Sequence, residues 1–176
     1  MTLINSFQNY LAQFAKKNFS KRKLFACALL IISIIATKEL FFRHYSFAFN
    51  YSESLNGKFF FYDKNQDANF AVGDLVVFKV RADDDFYPNK EFLKIIAGKE
   101  GDKINIDDRH CEVNGYQATA KEFSRQNIRL NHFSPTSNVI PKNYFFVVGT
   151  HPDSYDSRYM GIIHRSQIIG KAWQIF

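Results

Sequence analysis

The polarity of the chain changes character twice, and each change predicts a different kind of structure. Residues 3–14 place Leu3, Phe7, Tyr10, Leu11 and Phe14 at helical spacing. That pattern predicts a short amphipathic helix able to lie on a membrane surface, with a frayed polar terminus as the competing reading. Leu24–Thr37, LFACALLIISIIAT, is uninterrupted apolar sequence. Alone it is shorter than the ~20 residues a helix needs to cross a bilayer. Counting on through Leu40-Phe41-Phe42 gives a workable span, with Lys38 close enough to one end to snorkel.

From Tyr45 the pattern turns to short runs rich in β-branched and aromatic residues, bounded by turn formers. Strands are predicted at Lys58–Tyr62, Leu75–Val80, Phe92–Ile96, Tyr144–Val148 and Ile168–Phe176. Lys103–Ile106 and His110–Val113 flank Asp107-Asp108 and predict a hairpin, and Gly115 predicts a second turn. Residues 117–138 are polar, with Pro135 among Ser, Thr and Asn, and predict loop. The expected fold is mainly β, an antiparallel domain with an N-terminal transmembrane helix and little other helix. The chain has no internal repeat and no low-complexity segment.

An apolar stretch behind basic residues also fits a cleaved secretory signal. The segment before it is too long for that, and Ile34-Ile35-Ala36 is a poor small-x-small cleavage site. The expected division is therefore 1–23 as a cytoplasmic amphipathic segment, 24–42 as an uncleaved anchor and 45–176 as a β-rich domain. Lys16, Lys17, Lys21, Arg22 and Lys23 precede the span without an acid among them, which sets the N-terminus in the cytoplasm and the domain on the far side.

The formal net charge is +6, and that basic cluster carries most of it, so the β-region is nearly balanced. A nucleic-acid-binding domain would carry its cations on the folded part. Cations parked beside an apolar segment suit a lipid surface instead. Cys27 lies in the apolar stretch, so pairing with Cys111 is not expected, and no zinc-type spacing is present. No cofactor or metal is expected. Asp83-Asp84-Asp85 reads as a solvated loop in preference to a cation site.

The candidate chemistry centres on Lys94, a lone lysine within Phe92-Leu93-Lys94-Ile95-Ile96. On a strand it shares a face with Phe92 and Ile96. Burial there disfavours the ammonium form and makes a base of the lysine. The bland alternative is a snorkelling side chain with its head in water. His151 lies near Asp153 and Asp156, so a Ser–His–Asp triad is a rival constellation, one defined by geometry and not by chain order. His44, His110, His132 and His164 have no partner at ligand spacing.

Three segments together resemble the type I signal peptidases, membrane-anchored serine peptidases. Gly149–Gly161, GTHPDSYDSRYMG, resembles that family's glycine-led loop ending in Asp-Ser-Arg, with PKNYFFVVG before it and IGKAW after it. Phe92–Asp102, FLKIIAGKEGD, resembles the lysine box, and Val72–Phe78, VGDLVVF, the strand before it. Asn50–Gly57, NYSESLNG, resembles the serine box that follows the membrane segment, although Asn56 stands where the family has a proline and the spacing to Gly57 is shorter.

The resemblance implies Ser54 as nucleophile, Lys94 as base and Ser52 as a hydroxyl that helps hold the oxyanion. It also implies that Ser154 orients the lysine, while Asp156 and Arg158 form an ion pair that shapes the site; a surface salt bridge is the plainer reading of that pair. The implied partners are precursor proteins and a lipid bilayer, and the implied home is the bacterial inner membrane with the domain outside it. The Asn-x-Ser-x-Ser-Leu run is similar to TraF-type peptidases of conjugative transfer, which implies pilin or exported-protein maturation and other components of a transfer apparatus as partners. A housekeeping signal peptidase is the alternative. A LexA-like self-cleaving protein and a non-catalytic anchored scaffold are the rivals.

Overall fold

The computed structural model describes residues 6, 8, 21–106, 110–119, 124–125, 128–129 and 137–176. Apart from Ser6 and Gln8, the predicted helix over 3–14 lies outside the described residues, as do Asp107-Asp108, His132 and Pro135. The chain forms two compact units, Met1–Arg43 and His44–Phe176.

In the first unit a helix runs over Lys21–His44, 24 residues with none buried. It is long and apolar enough to cross a membrane. At about 1.5 Å per residue it exceeds the ~30 Å of a bilayer's hydrocarbon core. The helix continues through Lys38 and Glu39, so the apolar run and Leu40-Phe41-Phe42 belong to one element.

The second unit is antiparallel β. Its strands among the described residues are β1 (Tyr45–Phe49), β2 (Phe59–Asp63), β3 (Leu75–Lys79), β4 (Glu91–Lys99), β5 (Ile104–Ile106), β6 (His110–Val113), β7 (Tyr116–Thr119), β8 (Ser124–Arg125), β9 (Ile128–Arg129), β10 (Tyr144–Val148), β11 (Ile163–His164) and β12 (Ile168–Gln174). The main sheet has the order β1-β2-β12-β3-β4-β10-β11. β5, β6 and β7 form a separate meander, and β8 pairs with β9.

β7 and the β8–β9 pair fall in the stretch predicted as loop. The turn chemistry explains β7. Asn114 and Gly115 both have positive φ, 51° and 78°. Two such residues match the right-handed twist of a tight hairpin, so the turn folds the polar run after Gly115 back onto β6. Polar composition hid a strand that pairing decides.

Two apolar layers flank the central strands. Val76 and Phe78 of β3 join Ile96, Val147 and Ile168 in one buried cluster. Val77 packs with Tyr62 and Ala172 on the opposite face. In register, Val76 pairs with Lys94 and Phe78 with Phe92. Alternation along β4 therefore turns Lys94 toward the face of Phe92 and Ile96.

Candidate active site

Lys94 is 4% exposed, which excludes the snorkelling reading. Its amine donates to Ser154 Oγ at 2.7 Å. Burial lowers its pKa from 10.5 to about 8; the Asp156 carboxylate opposes that shift, and the Arg158 guanidinium reinforces it. The Phe92 ring, 5.5 Å from the amine, favours the cation but adds little beside the loss of hydration. With a pKa of about 8, roughly a tenth of the amine is neutral at pH 7 and more above it, so the amine is a usable base.

Ser52 and Ser54 lie in the turn between β1 and β2, which Asn50 holds. The Asn50 amide donates to the carbonyls of Leu55 and Gly57 at 3.1 and 3.2 Å. Its Oδ1 accepts from Ser52 N at 3.1 Å and lies 2.9 Å from Ser52 Oγ. The Ser52 and Ser54 hydroxyl oxygens are 2.9 Å apart. The Ser54 amide donates to Ser52 Oγ at 3.3 Å. The Ser54 N–H and both hydroxyls therefore form one local network around Ser52 Oγ. Asn50 has no role predicted from sequence, although an Asn two residues before a Ser is the signal of such a local clamp.

The loop after β10 brings Ser154 to Lys94. Asp156 and Arg158 are fully buried and meet through two hydrogen bonds, Nε to Oδ1 at 2.8 Å and Nη2 to Oδ2 at 2.7 Å. This replaces the surface-pair reading. Arg158 also donates to the carbonyls of Pro152, His151 and Ser154 at 3.2, 3.2 and 3.3 Å. Asp156 Oδ2 accepts from Gly149 N at 2.8 Å. The pair therefore ties both ends of the loop to its middle. Ser157, which the sequence reading passed over, accepts from Val147 N at 2.9 Å beside the register shift at Phe146/Val147.

Gly149 is the close approach that joins loop and turn. The Ser54 carbonyl accepts from Thr150 N at 2.8 Å. A Cβ on Gly149 would collide with Ser154 Oγ and lie 2.6 Å from the Ser54 carbonyl oxygen. Only glycine leaves room for both serines there.

Ser52, Ser54, Lys94 and Ser154 line one cleft of about 960 Å³, with Ala48, Leu93 and Val77 among its apolar walls. His151 also lines it, but its ring does not form a triad. Nδ1 accepts from Asp153 N at 3.2 Å, and Nε2 faces Glu53 at 3.6 Å. Asp156 is engaged by Arg158 and Gly149 instead of an imidazole. Asp84 departs from the solvated-loop expectation. Its Oδ2 accepts from the Tyr155 hydroxyl at 2.9 Å, while Asp83 pairs with Arg81 in solvent.

Two neighbouring hydroxyls and a buried amine on one cleft can support acyl transfer through a serine ester. Fold and cleft thus define an antiparallel β-domain with a buried lysine and two serine hydroxyls on one cleft. The family model described as signal peptidase, peptidase S26, matches residues 19–176, and the chain belongs to that family. The chain is 30% identical over 115 residues to signal peptidase IB of Staphylococcus aureus strain Mu50, a match covering 56% of each chain. The protein of strain N315 matches equally. The chain thus spans little more than half the length of these relatives. A crystal structure of signal peptidase I from Enterococcus faecalis V583 aligns with TM-score 0.41 and 19% identity, covering 59% of this chain and 97% of that one.

Proposed function

We propose that this protein is a membrane-anchored serine endopeptidase that removes leader peptides from exported precursors, with Ser54 as nucleophile and Lys94 as base. The observation that carries the reading is the Lys94 amine, buried, shifted to about pKa 8, and lining the same cleft as Ser54. Neutral Lys94 takes the Ser54 hydroxyl proton as Oγ attacks the scissile carbonyl. The Ser54 amide and Ser52 hydroxyl receive the oxyanion. The lysine then returns its proton to the leaving amine, and water releases the acyl group. Ser154 positions the amine through the 2.7 Å hydrogen bond, and the Asp156–Arg158 pair keeps Ser154 in place.

The anchor reading rests on the apolar helix Lys21–His44, with residues 24–42 in the bilayer. The basic residues ahead of the apolar run Leu24–Thr37 put the N-terminus in the cytoplasm and the β-unit, residues 45–176, outside a bacterial inner membrane. Its partners are then precursor proteins and the lipid bilayer.

The finer reading is maturation of a pilin or other exported protein in a conjugative transfer system, with components of that apparatus as further partners. The Asn50-x-Ser52-x-Ser54-Leu55 run supports it by its similarity to the TraF-type peptidases; Asn50 holds Ser52, whose hydroxyl oxygen is 2.9 Å from that of Ser54. A general signal peptidase is the alternative. Mass spectrometry of the processed partner discriminates: a ring joined end to end weighs one water less than the linear product. Single replacements Ser54→Ala and Lys94→Ala, followed by precursor size in membranes, test the activity itself. Loss of processing in both supports the reading, and continued processing in both leaves a scaffold.

A further inference from the structure

Beside Lys94 stands a wall of aromatic rings that the catalytic account does not use. Tyr87 and Phe92 meet at 5.2 Å between ring centroids, Tyr87 and Tyr155 at 5.0 Å, and Phe92 and Tyr155 at 6.3 Å. All three rings line the cleft. They come from different segments: Phe92 from β4, Tyr87 from the loop before it, and Tyr155 from the loop that carries Ser154.

One carboxylate joins the two loops. Asp84 Oδ1 accepts from the backbone amides of Phe86 and Tyr87 at 3.0 and 2.7 Å. Its Oδ2 accepts from the Tyr155 hydroxyl at 2.9 Å. Asp84 thus fixes the turn that carries Tyr87 and the ring that neighbours Ser154. Such a bridge couples two cleft-lining loops.

Resting on the function proposed above, we infer that Asp84 is a positioning residue. Through Tyr155 and Tyr87 it holds the aromatic wall that limits the subsite beside Lys94 to small side chains and keeps water from the amine. The charged groups around this unit are Asp156 and Arg158 near Lys94, and Asp84, Asp85 and Arg81 near Tyr155.

The test uses the full-length protein in detergent or membranes, with Tyr155→Phe, which removes only the hydroxyl, and Asp84→Ala. Two quantities are read. One is the titration of Lys94 by NMR of ¹³Cε-labelled lysine, assigned by the signal that Lys94→Ala removes. The other is the ratio of kcat/KM for peptides with alanine against leucine next to the cut. The titration midpoint is expected to rise by about half a pH unit or more as water enters. The alanine preference is expected to fall at least about threefold. Should Asp84→Ala fail to fold, Tyr155→Phe decides alone. If either quantity stays at the parent value in folded Tyr155→Phe, the assignment is overturned. A merely structural role would lower thermal stability and leave both unmoved. The Lys94 titration needs no cleavage, so it reports on the wall even if Ser54 proves not to be the nucleophile.

Discussion

Lys94, midway along β4, and Ser154, in the loop after β10, meet at 2.7 Å in the buried part of the cleft. The hydroxyl satisfies an amine that has left water, and the amine in turn fixes the loop carrying Ser154. Removing that hydroxyl leaves the amine without its partner and free to swing. Ser154→Ala is therefore expected to lower kcat by about 10- to 100-fold, with KM little changed. Steady-state cleavage of a leader peptide, beside a thermal melt, reads this.

The lowered pKa of Lys94 gives cleavage an ascending limb. The neutral amine is the active form, so kcat/KM rises with pH to a plateau with a midpoint at about 8. Lys94→Arg, whose guanidinium keeps its proton, is not expected to restore activity at any pH. A pH–rate profile of the parent and this variant checks both points.

Stability follows from the same shift. Unfolded, Lys94 titrates at 10.5; folded, at about 8. Between those values the unfolded chain binds a proton that the folded chain lacks, so stability rises with pH through that window. Below about 8 the fold bears the full cost of a charged, buried amine. Relative to Lys94→Met, the parent should gain about 2 kcal/mol from pH 7 to 9.5. Denaturant unfolding at the two pH values measures it.

The fold was legible where alternation and turn chemistry agreed, as in Leu75–Val80 and Tyr144–Val148. It was illegible at β7, where Gln117 and Thr119 look like loop and only the Asn114-Gly115 turn commits them to pairing. At the site, Lys94 stood out because a charge interrupts an apolar strand. Ser154, Asp156 and Arg158 could be named by resemblance, but the buried two-bond ion pair could not be read from residues two apart. Asn50 and Asp84 were harder. Each acts through backbone amides or a distant tyrosine, and a polar residue in a loop has the same sequence signature whether it faces solvent or spans two loops.

Gly149 carries the tightest steric demand near the cleft. In Gly149→Ala the new methyl forces apart Ser154 Oγ and the Ser54 carbonyl. The expected cost is about 1–3 kcal/mol of stability. Displacement of both serines should also lower kcat/KM by about 100-fold or more. Circular dichroism melts together with peptide cleavage distinguish the two losses.

Breaking the Asp156–Arg158 pair from one side strands a buried charge. Arg158→Ala is expected to cost about 3–5 kcal/mol, with the loop from Gly149 to Ser154 loosened as well. Replacing both partners with apolar residues should restore part of the stability but not the activity, since Ser154 stays unheld. Denaturant melts of the single and double variants test this.

The central claim is that the hydroxyl at Ser54 becomes esterified with help from Lys94. Its most direct test is peptide mapping after acid-quenched reaction of the intact protein with a leader-peptide substrate or an acylating analogue of it. The account predicts an acyl group on Ser54 in the parent, and none in Ser54→Ala or in Lys94→Ala near neutral pH. An acyl group found on Ser52 instead, or unimpaired cleavage by either variant, would contradict it.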